Sequence, residues 1–424
     1  MADLLSYRRH FDSLSRCCYL ISNSLGAMPN AARSAAAAYA DQWAARGVRA
    51  WHDEWWELPR TVGDHIGAFM HAAPDTVAMQ PNVTTAEAVI LSCFDFAAPR
   101  NKIVMVDMEF PSIKYLCQEW AAARGGRVEI VPCPDGVTVP TERLLEAIDE
   151  ATLLVPISHV LFRSSFIIDA PAVIEKAHRV GARVVLDVYQ SLGSIPVDLG
   201  ALDADFAVGG CLKWLCGGPG AAFLYVRPDL IGSLRPSFTG WLAHDAPFAF
   251  EPPPIRRAAG SYRFLNGTPV IPALYTCRPG LDLVSEIGIE RIRAHSQAMT
   301  ARLLELARLR GWKTTAPEDP ARRAGTVAID LDHGLAIATE LNARSFLCDY
   351  RPRAGIRLSP HFYNTEREIE DVIASHPNVK EVAAIGVPDP VAGERVKVII
   401  VPREPGLTQA SIIEHCRKSL TGYK

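Results

Sequence analysis

Between Phe206 and Val226 the chain reads FAVGGCLKWLCGGPGAAFLYV, and Lys213 is the one charged residue in it. An ammonium group in such apolar surroundings is disfavoured, so its pKa falls and a free amine becomes available as a nucleophile. Amines of this kind form Schiff bases with carbonyl compounds, pyridoxal phosphate above all. That cofactor needs a carboxylate to keep its pyridine nitrogen protonated, so that the ring can act as an electron sink, and donors for its phosphate. Asp187 at the end of RVVLD suits the first need. Thr84 and Thr85 in NVTTAEAV suit the second, standing just before an expected helix whose N-terminal amides attract anions. Ser158 ends LLVPIS, and Gln190 follows Asp187 closely. Taken singly, Asp187 also reads as a turn cap and the two threonines as an N-cap. The lysine does not read as a surface residue, because CLKWLC offers it no polar neighbours. His159 adjoins Ser158, but strand neighbours face opposite ways, which argues against a serine–histidine pair. GGPG lacks the spacing of a nucleotide-binding loop.

For these side chains to meet, strands must deliver them to one edge of a sheet. KIVMVD, RVEIVPCP, TLLVPIS, ARVVLDV, ADFAVGG and AAFLYV are strand candidates, while APAVIEKAHRVG has helical spacing and a terminal glycine. Asn30 to Trp51 is alanine-rich and reads as a long helix. Such alternation implies an α/β fold, a mainly parallel sheet with helices on both faces, whose ligands sit at the carboxyl ends of the strands. Ser158, Asp187 and Lys213 line one crevice if their strands are neighbours. From about Pro279 the pattern changes to an amphipathic helix, GIERIRAHSQAMTARLLELARLRG, then strand-like AGTVAIDL and AGIRLSP, which reads as a smaller α+β unit. A chain of 424 residues has room for two or more units. A net charge of -3 and a hydrophobic fraction of 49% carry no basic excess for nucleic acid, and no apolar run is long enough for a bilayer. The ten cysteines lack C-x-x-C spacing and the N-terminus lacks a signal pattern. These features imply a reduced, cytoplasmic protein that binds no metal.

With these residues in place, the chain from Tyr19 to about Ile373 resembles the kynureninase branch of the class V aminotransferase-like family. The landmarks are YLISNSLG, EFPS, LDVYQSLGSIPVDL, ADFAVGGCLKWLCGGPGAAFLYV, GWLAH, CDYRPRAGIRLSP and FYNTEREIEDVI. The resemblance implies a type I pyridoxal-phosphate fold and a homodimer acting on a small-molecule amino-acid substrate. It implies that Lys213 is the Schiff-base lysine, that Asp187 partners the pyridine nitrogen, and that Thr84 and Thr85 hold the phosphate. It further implies that Phe110 stacks on the ring with Ser158 close by, and that Trp241 and Thr268 complete the pocket from the neighbouring subunit. Arg357 would clamp the substrate carboxylate, a task its planar fork fits. Trp241 otherwise reads as a core aromatic and Arg357 as an ion-pair residue. Three departures bear on the reaction. Ile113 stands where typical kynureninases carry aspartate, Gln190 where they usually carry histidine, and Leu212 where they place tyrosine. The glutamine resembles that of cysteine desulfurases, where it bonds the cofactor's phenolic oxygen. Cys348, in LCDYRP, is not in a desulfurase-like nucleophilic loop. The implied default reaction is hydrolytic Cβ–Cγ cleavage of a kynurenine-type substrate. The departures favour transamination, β-elimination or C–S cleavage, and a non-catalytic binding protein is the reading from a different class.

The tail differs in character. ASHPNVKEVAAIGVPDPVAGERVKVIIVPREPGLTQASIIEHCRKSLTGYK resembles the C-terminal subdomain of acyl-CoA synthetases, and EIEDVI is plausible in both families. The adenylate-binding domain and the catalytic-lysine region of that family are missing here, so adenylation is not expected. The implied organisation is an N-terminal segment (1–30) packing with the small domain, a large cofactor-binding domain (31–278), a small domain (279–373) and the tail (374–424). A helix, two or three strands and a closing helix are expected in the tail.

Overall fold

Seven strands build the central sheet: β1 (Val77–Gln80), β2 (Lys102–Val106), β3 (Arg127–Val131), β4 (Thr152–Ser158), β5 (Arg183–Asp187), β6 (Phe206–Gly210) and β7 (Ala222–Val226). Their order is β1-β7-β6-β5-β4-β2-β3. Strands β2 to β6 pair in parallel, and β7 runs antiparallel to both of its neighbours. This is a computed structural model; it describes residues 3–374 and the strands 379–389 and 393–402. Each strand except β1 lies in a run expected from the sequence, and the architecture is the α/β one that the sequence implied, a mainly parallel sheet with helices on both faces. The short β1 carries no period long enough to be read.

Alternation along the strands explains why the sheet needs helices on both faces. Val104 and Val106 of β2, with Val184 and Leu186 of β5, join one apolar cluster. Ile103 and Met105, with Val185, join the other. The first cluster is closed by α2 (Leu58–Ala68) and α5 (Ala170–Arg179), the second by α3 (Val83–Leu91) and α4 (Pro111–Ala122). The alanine-rich stretch forms α1 (Ala31–Arg46), which ends where Gly47 adopts a positive φ of 53°.

Helices α6 (Ile271–Ile287) and α7 (Ile289–Leu309) lead to a four-stranded antiparallel sheet. It comprises β8 (Lys313–Thr314), β9 (Val327–Asp330), β10 (Asp349–Arg351) and β11 (Gly355–Leu358), in the order β10-β11-β9-β8. Pro279, where the pattern changes, lies inside α6. The N-terminal segment pairs Cys18–Tyr19 in parallel with Phe346–Leu347.

The chain divides into two compact units, Met1–Ile369 and Glu370–Lys424. In the second, β12 (Val379–Asp389) and β13 (Gly393–Pro402) form an antiparallel hairpin. The expected closing helix of the tail lies outside the described residues. Among the described residues no helix is long and apolar enough to cross a membrane.

Candidate active site

Strands β4, β5 and β6 are consecutive neighbours, so Ser158 stands beside Asp187, and Asp187 beside Val208, at one edge of the sheet. The chain leaves β6 and reaches Lys213 through a loop that two glycines let other segments press upon. The Gly26 N–H donates to the Leu212 carbonyl at 2.9 Å, and a Cβ at Gly26 would stand 2.1 Å from the Lys213 carbonyl oxygen. A Cβ at Gly280 in α6 would meet the Leu215 carbonyl oxygen at 2.3 Å. Trp214 is buried beside the lysine, and its carbonyl accepts the His361 Nε2–H at 2.8 Å. Burial pulls His361 down to about 3, so that imidazole is neutral.

The Lys213 Nζ lies 4.2 Å from the Tyr189 ring centroid and 5.7 Å from that of Phe110. Burial pulls its pKa down to about 8; the Asp187 carboxylate opposes that shift, and the Arg357 and Arg351 charges add to it. Asp187 accepts the Tyr189 N–H on Oδ1 at 2.8 Å. Burial raises the Asp187 pKa, against that hydrogen bond and the Lys213 charge.

Two further carboxyl groups lie in the same buried floor. Glu109 accepts the Ser158 N–H on both oxygens, at 3.0 and 2.9 Å, and the Ser158 hydroxyl on Oε2. Burial is the main cause that pushes Glu109 up to about 8. Glu87, in α3, is 1% exposed, and neither of its oxygens has a hydrogen-bond partner among the described residues. Burial holds its pKa well above the carboxylate range, and the charges of Asp187 and Glu109 raise it further. A buried, unpartnered carboxyl is stable only in its neutral form.

Arg357, on β11, stands opposite Asp349 of β10. Its Nε and one terminal nitrogen donate to Asp349 at 2.8 and 2.5 Å, and the other terminal nitrogen donates to the Phe162 carbonyl at 2.7 Å. Arg351 reaches the same carboxylate at 3.0 Å. Two guanidiniums sharing one carboxylate keep a net positive charge beside the lysine.

The structure distributes the remaining candidates unevenly. Asn82, not a threonine, caps α3: its Oδ1 accepts the Thr85 N–H at 2.9 Å. Thr84 and Thr85 therefore sit inside the first turn rather than before it, Thr84 exposed and Thr85 half-buried. Thr85 and Thr268 line one cavity of about 180 Å³ with Gln80, Gly220 and Asn266. Phe110 occupies the cap position of α4 and packs edge-on against Phe162, with centroids 5.3 Å apart. Trp241 is not a core aromatic; it is 42% exposed in a cluster with Trp56, Phe248 and Phe250.

Gln190 is buried near the lysine loop. Its Nε2 donates to the Asn23 carbonyl at 3.0 Å and its Oε1 accepts the Trp214 Nε1–H at 2.9 Å. These two bonds tie Gln190 into the walls around the lysine and use one of the two N–H donors of its amide. Ile113 is buried in the apolar cluster under α4. Cys348 is buried and its thiol is pushed up to about 12, which removes the thiolate character a nucleophile needs.

Sequence reasoning missed Glu109, Tyr189 and Asp349. Glu109 carried a usable signal: it lies just beyond the end of a parallel strand, as Asp187 ends another. No local signal marks Asp349, which matters only through the β10–β11 register.

The chain is 31% identical over 367 residues to the uncharacterized aminotransferase YcbU of Bacillus subtilis, covering 87% of this chain and 95% of that protein. It is also 31% identical over 364 residues to a kynureninase of Burkholderia mallei, covering 82% and 85% respectively. Among solved structures it is similar to the cystine C–S lyase C-DES, with a TM-score of 0.79 at 23% identity over 86% of this chain and 98% of that one. A cysteine desulfurase from Thermococcus onnurineus gives 0.79 at 21% identity, over 88% and 97%. Residues 368–424 match the AMP-binding enzyme C-terminal domain, and the match begins within EIEDVI, on the helix Glu366–Ala374. Residues 18–372 match the class V aminotransferase model and hold every side chain of the crevice described above, so the chain belongs to the class V aminotransferase family.

Proposed function

We propose that this protein converts an α-amino acid by removing its α-proton, and that the reaction ends in transamination or β-elimination. The cofactor is pyridoxal phosphate, and the residues present fit it. The Lys213 amine has no hydrogen-bond partner among the described residues and lies near the Phe110 ring, and Asp187 uses only Oδ1 within the protein. When bound, the cofactor supplies an electron sink that makes the α-proton acidic. Lys213 would hold the cofactor's carbonyl carbon and then carry the α-proton, a task suited to an amine with a pKa of about 8. Asp187 would hold the proton of the ring nitrogen, Phe110 would cover the ring, and Ser158 would lie beside it. Thr84 and Thr85 would meet the phosphate at the start of α3. Arg357 would take the substrate carboxylate with the donors that Asp349 and Phe162 leave free.

The observation that carries this reading is the solitary amine. At the positions where typical kynureninases carry tyrosine and aspartate, Leu212 and Ile113 supply no proton-transferring group, and Cys348 is no thiolate. Proton removal at one carbon needs one base, whereas Cβ–Cγ hydrolysis needs further proton transfers. Kinship with kynureninases supports kynurenine cleavage as the second reading. We also read the protein as a homodimer, supported by the exposed cluster of Trp241, Phe248 and Phe250, with Trp241 and Thr268 serving the partner's site.

The test is the near-ultraviolet and visible spectrum of the full chain with pyridoxal phosphate, for wild type and Lys213→Ala, followed by L-amino acids with a 2-oxo acid acceptor. A lysine-dependent band and keto-acid formation are expected. Release of fluorescent anthranilate from L-kynurenine would establish the second reading instead. Absence of any lysine-dependent band would overturn the enzyme reading and leave a binding protein.

A further inference from the structure

Resting on the reading of an amino-acid enzyme, we infer that the mouth of the crevice binds a second anionic group, and that the substrate's side chain ends in a carboxylate or a comparable oxyanion. The Phe110–Phe162 pair forms a wall leading outward from Lys213. Arg163 follows, with its guanidinium 5.3 Å from the Phe162 ring centroid. It is half-buried and forms no ion pair or hydrogen bond among the described residues. Arg353 is exposed at the tip of the β10–β11 hairpin, where its backbone is left-handed (φ 65°). Its charge reaches both Arg163 and Lys114. Lys114, on α4, is half-buried and donates to the Asp107 carbonyl at 2.7 Å.

Two acidic groups bear on these cations: Asp107 on Arg163 and Lys114, and Glu109, which burial holds toward its neutral form, on Lys114. Asp107 accepts the Cys133 N–H at 3.1 Å, and neither acid forms an ion pair with the three cations among the described residues. The rim therefore holds a net charge of about two positive units in a partly desolvated place. Like charges assembled without anions repel one another, and an entering anion removes that repulsion while gaining charge-assisted hydrogen bonds. Arg357 and the rim would then address opposite ends of the same substrate. A neutral aryl ketone would leave the rim cations unanswered, and an acidic side chain would not.

The experiment uses the full chain loaded with pyridoxal phosphate and compares kcat/KM for L-aspartate and L-glutamate with L-asparagine, L-glutamine and L-kynurenine. Acidic substrates are expected to exceed their amides by on the order of 100-fold. Arg163→Gln should cut that ratio by about tenfold or more, and Arg353→Gln by less, because it is exposed. Arg179→Gln, on the outer surface of α5, should leave the ratio where it is. Calorimetry with succinate and glutarate against butyrate reads the rim without turnover. Tighter dicarboxylate binding that weakens in Arg163→Gln supports the inference even if the cofactor band is absent and the reaction reading falls. Amides turned over as well as acids, or succinate bound no better than butyrate, would overturn it even in an active enzyme.

Discussion

On the floor of the crevice burial switches charges off, whereas at its mouth the cations outnumber the nearby Asp107 carboxylate and form no ion pair with it. Glu87 and Glu109 are held toward their neutral forms and Lys213 toward its free amine, each chiefly because water is excluded. At the mouth, Arg163, Arg353 and Lys114 are half-buried or exposed; burial first and mutual crowding second lower Arg163 and Lys114, and the Arg163 guanidinium stays charged. The difference follows from chemistry as well as burial. Carboxyl groups and amines change protonation when desolvated, but an arginine stays charged and must find an anion instead. A floor of switchable groups suits proton transfer, and a rim led by two permanently charged guanidiniums suits recognition.

The comparison breaks most visibly at the amine. Lys213→Ala should lower turnover by about 10⁴-fold and abolish the lysine-dependent band, both measured on the loaded protein. Near-normal turnover would show that the floor does no chemistry. Asp187→Asn should follow, with a loss on the order of 100-fold in kcat, because an amide stabilises a protonated ring nitrogen poorly. If only KM moved, Asp187 would belong with the recognition groups.

A smaller effect concerns pH. Only the free amine attacks a carbonyl, and the Lys213 pKa is about 8. The rate of cofactor attachment to the apo full chain should therefore rise about tenfold per pH unit below 8 and level off above it. Continued increase to pH 10 would mean that the lysine is solvated like those of the rim.

The smallest effect is on stability. Glu109 is protonated in the fold up to about pH 8 but ionises near its ordinary value when unfolded. Between those values the folded state binds the extra proton, so stability falls as pH rises from about 4.5 toward 8. Glu109→Gln removes this term, and its thermal midpoint should decline less steeply over that range. Equal slopes would show that Glu109 is already ionised in the fold.

How legible all this was depends on distance along the chain. Lys213, Asp187 and Ser158 could be brought together in advance, because polar residues at the ends of parallel strands share one edge whenever the strands are neighbours. Glu109 obeyed the same rule and was overlooked. The side-chain direction of Gln190 was not readable, because it is set by the Trp214 indole and the Asn23 carbonyl, partners contributed by distant segments. Arg357 was readable as a carboxylate-binding fork, while its sharing of Asp349 with Arg351 depended on a hairpin register. Arg163 carries no local signal; Phe162 and Arg353 define its surroundings.

By itself, then, the sequence determined the alternation of strands and helices, the solitary lysine in an apolar run and the family landmarks, because these are written in periods and short spacings that each segment carries alone. Tertiary structure alone decided which acids are neutral, which arginines are answered by a carboxylate and which amide acts as a brace. Those properties depend on how far each group is removed from water and on what lies across from it, and both are set by residues far away in the chain.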